Sequence, residues 1–102
     1  MVLIYHMVAK LIFHSKYIYH DGAIREMILW KLPTTKDSPQ RFKYRLFYGL
    51  NDGTPVIRYD NERGKGDHRH VKNKEEPYYF IGIEQLVEDF LKEIERIRGV
   101  AR

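Results

Sequence analysis

The sequence predicts an α+β fold, an antiparallel sheet of about four strands in a meander with one C-terminal amphipathic helix packed on it. Three observations predict it. The turn sequences Asp21-Gly22 and Asn51-Asp52-Gly53 sit between apolar, alternating flanks, as hairpins do when a tight turn needs positive φ. Phe42, Tyr44, Leu46 and Tyr48 alternate with Arg41, Lys43 and Arg45, the period of a strand with unlike faces. Ile83, Leu86, Val87, Phe90, Leu91, Ile94 and Ile97 recur at spacings of three and four, which makes one apolar stripe on a helix.

In chain order, Val2 to Lys16 is mostly apolar and reads as one long strand or two short ones, with a helix as the alternative over Tyr5–Leu11. The Asp21-Gly22 turn follows. The returning strand, Ile24–Leu32, has apolar residues on both faces and is expected to be central. Pro33 ends it, because proline cannot donate to a ladder, and 33–40 form a loop rich in turn residues. Strand 41–48, the turn at 51–53 and strand 55–59 come next. Val71–Lys74 is turn-like, and the helix runs from about Ile83 to Ile97. Early acids (Glu84, Glu88, Asp89) and late cations (Arg96, Arg98) suit its dipole, and Gly99 stops it. Short connections favour pairing of strands that neighbour one another in sequence.

The 102 residues are expected to form a single domain, 1–102. Hydrophobic residues make up 43%, which argues against disorder. Eight Tyr, five Phe and one Trp suit a β-rich core. With no cysteine, neither disulfides nor thiolate metal sites can form. No apolar run is long enough to span a bilayer, and nothing reads as a signal peptide, so a cytoplasmic location is expected.

The net charge is +4 and the pI about 9.3; its distribution says more. Residues 83–95 carry five acids and one lysine, whereas 58–74 carry six cations and three acids. The basic charge is local to Tyr59–His70 and its neighbourhood; the run itself holds two histidines, three cations, three carboxylates and two glycines but no aliphatic residue. It reads as a long polar loop joining the sheet to the helix, and loops are where function concentrates on small scaffolds.

If His68-Arg69-His70 is extended, both imidazoles face one side with Arg69 opposite. Two imidazoles near neutral pH can serve as general base and general acid. Cleaving RNA needs that pairing, one group to deprotonate the 2′-hydroxyl and one to protonate the departing 5′-oxygen. Lys65, Arg63 and Arg69 are available to offset charge on the phosphate, and the charged face of strand 41–48 adds Lys43 and Arg45. Gly64 and Gly66 around Lys65 let backbone approach a phosphate. Tyr44 and Tyr59 are candidates to stack on a base or donate a proton. The run also holds oxygen and nitrogen ligands in Asp60, Glu62, Asp67, His68 and His70. Their spacing matches no zinc pattern, and interleaved cations oppose a dication, so neither metal nor cofactor is expected.

These residues resemble the TumE-type toxins of bacterial and archaeal toxin–antitoxin pairs over nearly the whole chain. The resemblance is carried by His20-Asp21-Gly22, Trp30-Lys31-Leu32-Pro33, Ser38–Arg45, Tyr59–Glu62 and Gly64–His70. Glu75-Glu76-Pro77-Tyr78 and the helix with Leu86, Asp89 and Phe90 agree too. Gly64–His70 holds its most specific part, Lys65–His70, while the N-terminal fifteen residues are more apolar than the family's pattern. The resemblance implies a small cytoplasmic toxin acting on RNA, neutralised by a DNA-binding antitoxin encoded beside it whose acidic residues would quench the basic loop.

The expected function is therefore a metal-independent endoribonuclease with His68, His70, Lys65 and Arg69 as catalytic residues. Lys43, Arg45, Arg63, Tyr44 and Tyr59 would bind RNA. The alternatives are a non-catalytic module that binds nucleic acid or protein through loop 59–70, and a divalent-metal-dependent nuclease. Exposed edges of a small antiparallel sheet also invite homodimerisation by strand pairing.

Overall fold

The structure, a computed structural model, describes residues 2–4, 7–33, 41–61 and 66–99. Seven strands, β1 (Val2–Ile4), β2 (Met7–Ile18), β3 (Ile24–Lys31), β4 (Phe42–Gly49), β5 (Pro55–Asp60), β6 (His68–Val71) and β7 (Lys74–Pro77), precede α1 (Ile83–Arg98). Each strand pairs antiparallel with the next, in the order β1 to β7. The α+β meander with a C-terminal helix is thus as the sequence predicts, but with more strands.

The extra strands have two sources. The N-terminal apolar stretch divides into β1 and β2, which excludes the helical alternative over 7–11. The polar run 59–70 is not a connection from sheet to helix: Tyr59 and Asp60 close β5, and His68–His70 open β6. The turn-like patch after it shrinks to Lys72-Asn73, with Lys72 at φ 58°, and Lys74–Pro77 pairs as β7. Residues 62–65 at the β5–β6 tip and 34–40 between β3 and β4 lie outside the described residues.

Alternation sorts the sheet into two faces. Met27, Leu29, Tyr44, Leu46, Tyr48, Ile57 and Tyr59 are buried and join Leu86, Phe90 and Ile94 of α1 in one cluster. The helix stripe expected from spacing is the face that packs, with Phe90 edge-on to Tyr59 at 5.7 Å between ring centroids. Gly99, at φ 72°, caps α1 by donating to the Arg96 and Glu95 carbonyls, as a left-handed C-terminal glycine does. Arg98 then pins the helix end to the sheet. It pairs with Asp21 at 3.1 Å, donates to the Tyr48 hydroxyl at 2.8 Å and lies 4.0 Å from the Tyr19 ring centroid.

The first turn shows why glycine follows Asp21. Gly22 has φ 87°, and a Cβ there would come within 2.7 Å of the Asn51 Cβ, so both the backbone and the neighbouring turn require glycine. Among the described residues no helix is long and apolar enough to cross a membrane.

Two polar side chains fasten the β5–β6 hairpin to β4. The Asn61 amide continues the ladder beyond Asp60: its Oδ1 accepts from the Tyr44 backbone N–H at 2.9 Å and its Nδ2 donates to the Phe42 carbonyl at 2.7 Å. Asp67 accepts from the buried Tyr44 hydroxyl at 2.6 Å, and its carbonyl accepts from the Tyr78 N–H at 3.2 Å. Burial, and then the Asp67 carboxylate, raise the Tyr44 pKa far above the usual phenol range. Asp67→Ala leaves that hydroxyl without its acceptor and is expected to cost about 1–3 kcal/mol. Urea denaturation measures the loss.

Candidate active site

The face of the sheet away from α1 carries the candidate histidines. Pairing runs Ile28–Arg45–Asp60–His68–Pro77 across β3 to β7 in one row and Glu26–Phe47–Arg58–His70–Glu75 in the next. Side chains two apart on a strand share a face, so His68 and His70 stand together beside Asp60 and Arg58. Lys43 and Arg45 alternate with buried Tyr44 and Leu46 and occupy the same open face, two strands away from the histidines.

The two imidazoles are 5.8 Å apart by ring centroid and nearly perpendicular. His68 Nε2 lies 3.0 Å from Asp60 Oδ1 and 3.8 Å from Glu75 Oε1, and its Nδ1 lies 3.2 Å from the Gly66 carbonyl. His70 Nε2 lies 3.4 Å from Glu75 Oε2. Side-chain exposure is 12% for His68 and 26% for His70, so the rings are held by neighbours yet reachable from solvent. One ligand atom from each of His68, His70 and Glu75 lies within 4.8 Å of the others.

Several expected participants are elsewhere. Arg69 projects to the helix side, as alternation between the histidines requires. Its Nε donates to Glu76 Oε1 at 2.6 Å and its Nη1 to the Tyr59 hydroxyl at 3.1 Å. It ties β5, β6 and β7 together and cannot touch a phosphate lying over the imidazoles. Tyr44 and Tyr59 are 1% and 0% exposed. Tyr44 stacks on Phe80 and Tyr59 packs edge-on to Tyr78 and Phe90, so neither can stack on an RNA base. Burial raises the Tyr59 hydroxyl pKa, while the Arg69 guanidinium pulls it back in part, so it is a poor proton donor as well. Lys65 and Arg63 fall outside the described residues.

Two members of the cluster escaped the sequence reading. Arg58 is exposed between buried Ile57 and Tyr59, and the alternation of β5 would have marked it. Glu75 belongs to a strand with no apolar alternation to betray it, and only pairing with β6 brings it beside His70. Chemically, the arrangement offers two proton-transferring rings, carboxylates that orient them and cations that attract a polyanion.

No curated protein and no solved structure matches the chain. The model of the family described as Toxin TumE matches residues 8–98, from β2 to the end of α1. That span leaves out β1 but takes in the histidine pair, the strands that flank it and the helix, and the chain belongs to the TumE toxin family.

Proposed function

We propose that this toxin is a metal-independent endoribonuclease whose acid–base pair is His68 and His70. The observation that carries the reading is the placement of both imidazoles on one open face, with Arg58 and Arg45 in the same cross-strand rows. One imidazole takes the proton of a ribose 2′-hydroxyl, whose oxygen attacks the adjacent phosphorus. The bond from phosphorus to the 5′-oxygen breaks, and the other ring, as imidazolium, protonates that oxygen. The products are a 2′,3′-cyclic phosphate and a 5′-hydroxyl. Arg45, Arg58 and Lys43 offset the charge that gathers on the phosphate, with Lys65 and Arg63 of the hairpin tip as further candidates. Asp60 and Glu75 hold the rings in place.

The family implies an antitoxin partner. A DNA-binding antitoxin that lays acidic residues over this face in the cytoplasm would block substrate and quench its cations together. The outer edge of β2 supports a homodimer. Among the described residues no strand pairs with it from Lys10 to Ile18, and Leu11, Ile12, Phe13, Tyr17 and Ile18 are exposed. Light scattering on the purified protein is expected to give twice the 12.3 kDa of the chain, and Ile12→Lys to return it to a monomer.

Incubating purified protein with total RNA tests the enzymatic reading: fragments are expected. Intact RNA held in a salt-dependent complex would instead favour the non-catalytic alternative, in which the cations bind phosphates and no bond breaks.

A further inference from the structure

The geometry points to a second use of the histidine pair: we propose that His68, His70 and Glu75 bind a divalent transition-metal ion that inhibits the toxin. Imidazole and carboxylate ligands suit zinc, which favours four-coordinate tetrahedral sites. Zinc–ligand bonds of the usual length set ligand atoms about 3.4 Å apart in such a site. His70 Nε2 and Glu75 Oε2 are 3.4 Å apart, and His68 Nε2 and Glu75 Oε1 are 3.8 Å apart. The three ligand atoms already fall within 4.8 Å of one another, so small side-chain rotations close the site.

The surroundings favour a cation. When His68 donates its Nδ1 hydrogen to the Gly66 carbonyl at 3.2 Å, a neutral ring turns the lone pair of Nε2 toward Asp60 Oδ1 at 3.0 Å. Two electron-rich atoms at that distance need a second proton or a metal ion between them. The Gly66 contact is the outer-shell support that metal-bound histidines commonly have, since it fixes which nitrogen presents its lone pair. Asp60, across from His68, can supply a fourth ligand. Of the interleaved cations that oppose a metal from sequence, Arg69 is on the other face, bonded to Glu76 and Tyr59. Arg45 and Arg58 remain on the site's face, and the carboxylates of Asp60 and Glu75 offset them.

Inhibition rests on the ribonuclease reading. A metal ion that occupies the lone pairs of both rings leaves neither a base to accept a proton nor an imidazolium to give one. Metal binding itself rests on geometry alone.

Calorimetric titration of the full chain with Zn²⁺ tests it. One ion per chain is expected, with a rise in Tm of about 5 °C or more at saturating zinc. His70→Ala and Glu75→Gln should abolish both, and His14→Ala, which alters an exposed histidine on β2, should leave both intact. Absence of stoichiometric uptake, or equal uptake by all three variants, overturns the inference. Where RNA is cut, saturating zinc should slow cleavage at least tenfold and chelation should restore it; undiminished cleavage by the zinc-loaded protein overturns the inhibitory role. A protein that binds zinc but cuts no RNA refutes the ribonuclease reading alone. One that cuts RNA without binding zinc refutes the metal site alone.

Discussion

Replacing His68 or His70 with alanine is expected to lower RNA cleavage by about 10²–10⁴-fold each, the range for loss of a general acid or base. Growth inhibition on expression should be relieved to match. Both rings sit on the open face and neither belongs to the buried cluster under α1, so Tm should fall by only a few degrees. The double variant should be little worse than either single one, because in the proposed mechanism the two rings serve one proton-transfer cycle and do not contribute independently. Tyr59→Phe is the contrasting change. It removes a buried hydroxyl that accepts from Arg69 on the other face and should leave the cleavage rate within about threefold of the parent, well short of the loss of a general acid. Single-turnover cleavage with thermal melts on the same preparations separates these outcomes.

Phe90→Ala carries the largest expected effect on stability. Phe90 is 0% exposed and packs on Tyr59 at the centre of the contact between helix and sheet. Removing a buried aromatic ring costs about 3–5 kcal/mol. Against a typical total of about 5–15 kcal/mol for a domain, that is enough to release much of α1 from the sheet. Denaturant unfolding of the variant should show the midpoint falling accordingly. A midpoint within experimental scatter of the parent would mean that α1 does not pack as described.

Local signals made most of the fold legible. The α1 stripe gave Ile83–Ile97 against an observed Ile83–Arg98, and the two Gly-containing turns lie where the dipeptides put them, with Gly22 at φ 87° and Gly53 at φ 90°. The strands flanking those turns differ from expectation only at their ends. The misses were β6 and β7. His-Arg-His-Val and Lys-Glu-Glu-Pro show no apolar alternation, and they are strands because β5 offers a pairing edge, a tertiary cause that propensity cannot reveal.

The same cause governed what could be read of the candidate site. Spacing alone put the two imidazoles on one side and Arg69 on the other, and alternation in β4 grouped Lys43 with Arg45. Tyr44 and Tyr59 misled because an alternating strand shows which residues share a face without showing which face the helix will cover. Glu75 could not be found from sequence, since its approach to His70 depends on the register between β6 and β7.

End-group analysis of RNA cut in the presence of EDTA tests whether the histidine pair on the open face cleaves RNA by acid–base catalysis without a metal. Fragments that end in 2′,3′-cyclic phosphate and 5′-hydroxyl are expected, formed at full rate in EDTA and absent with His68→Ala and His70→Ala. Cleavage that stops in EDTA, ends in a 3′-hydroxyl or persists in both variants would contradict it.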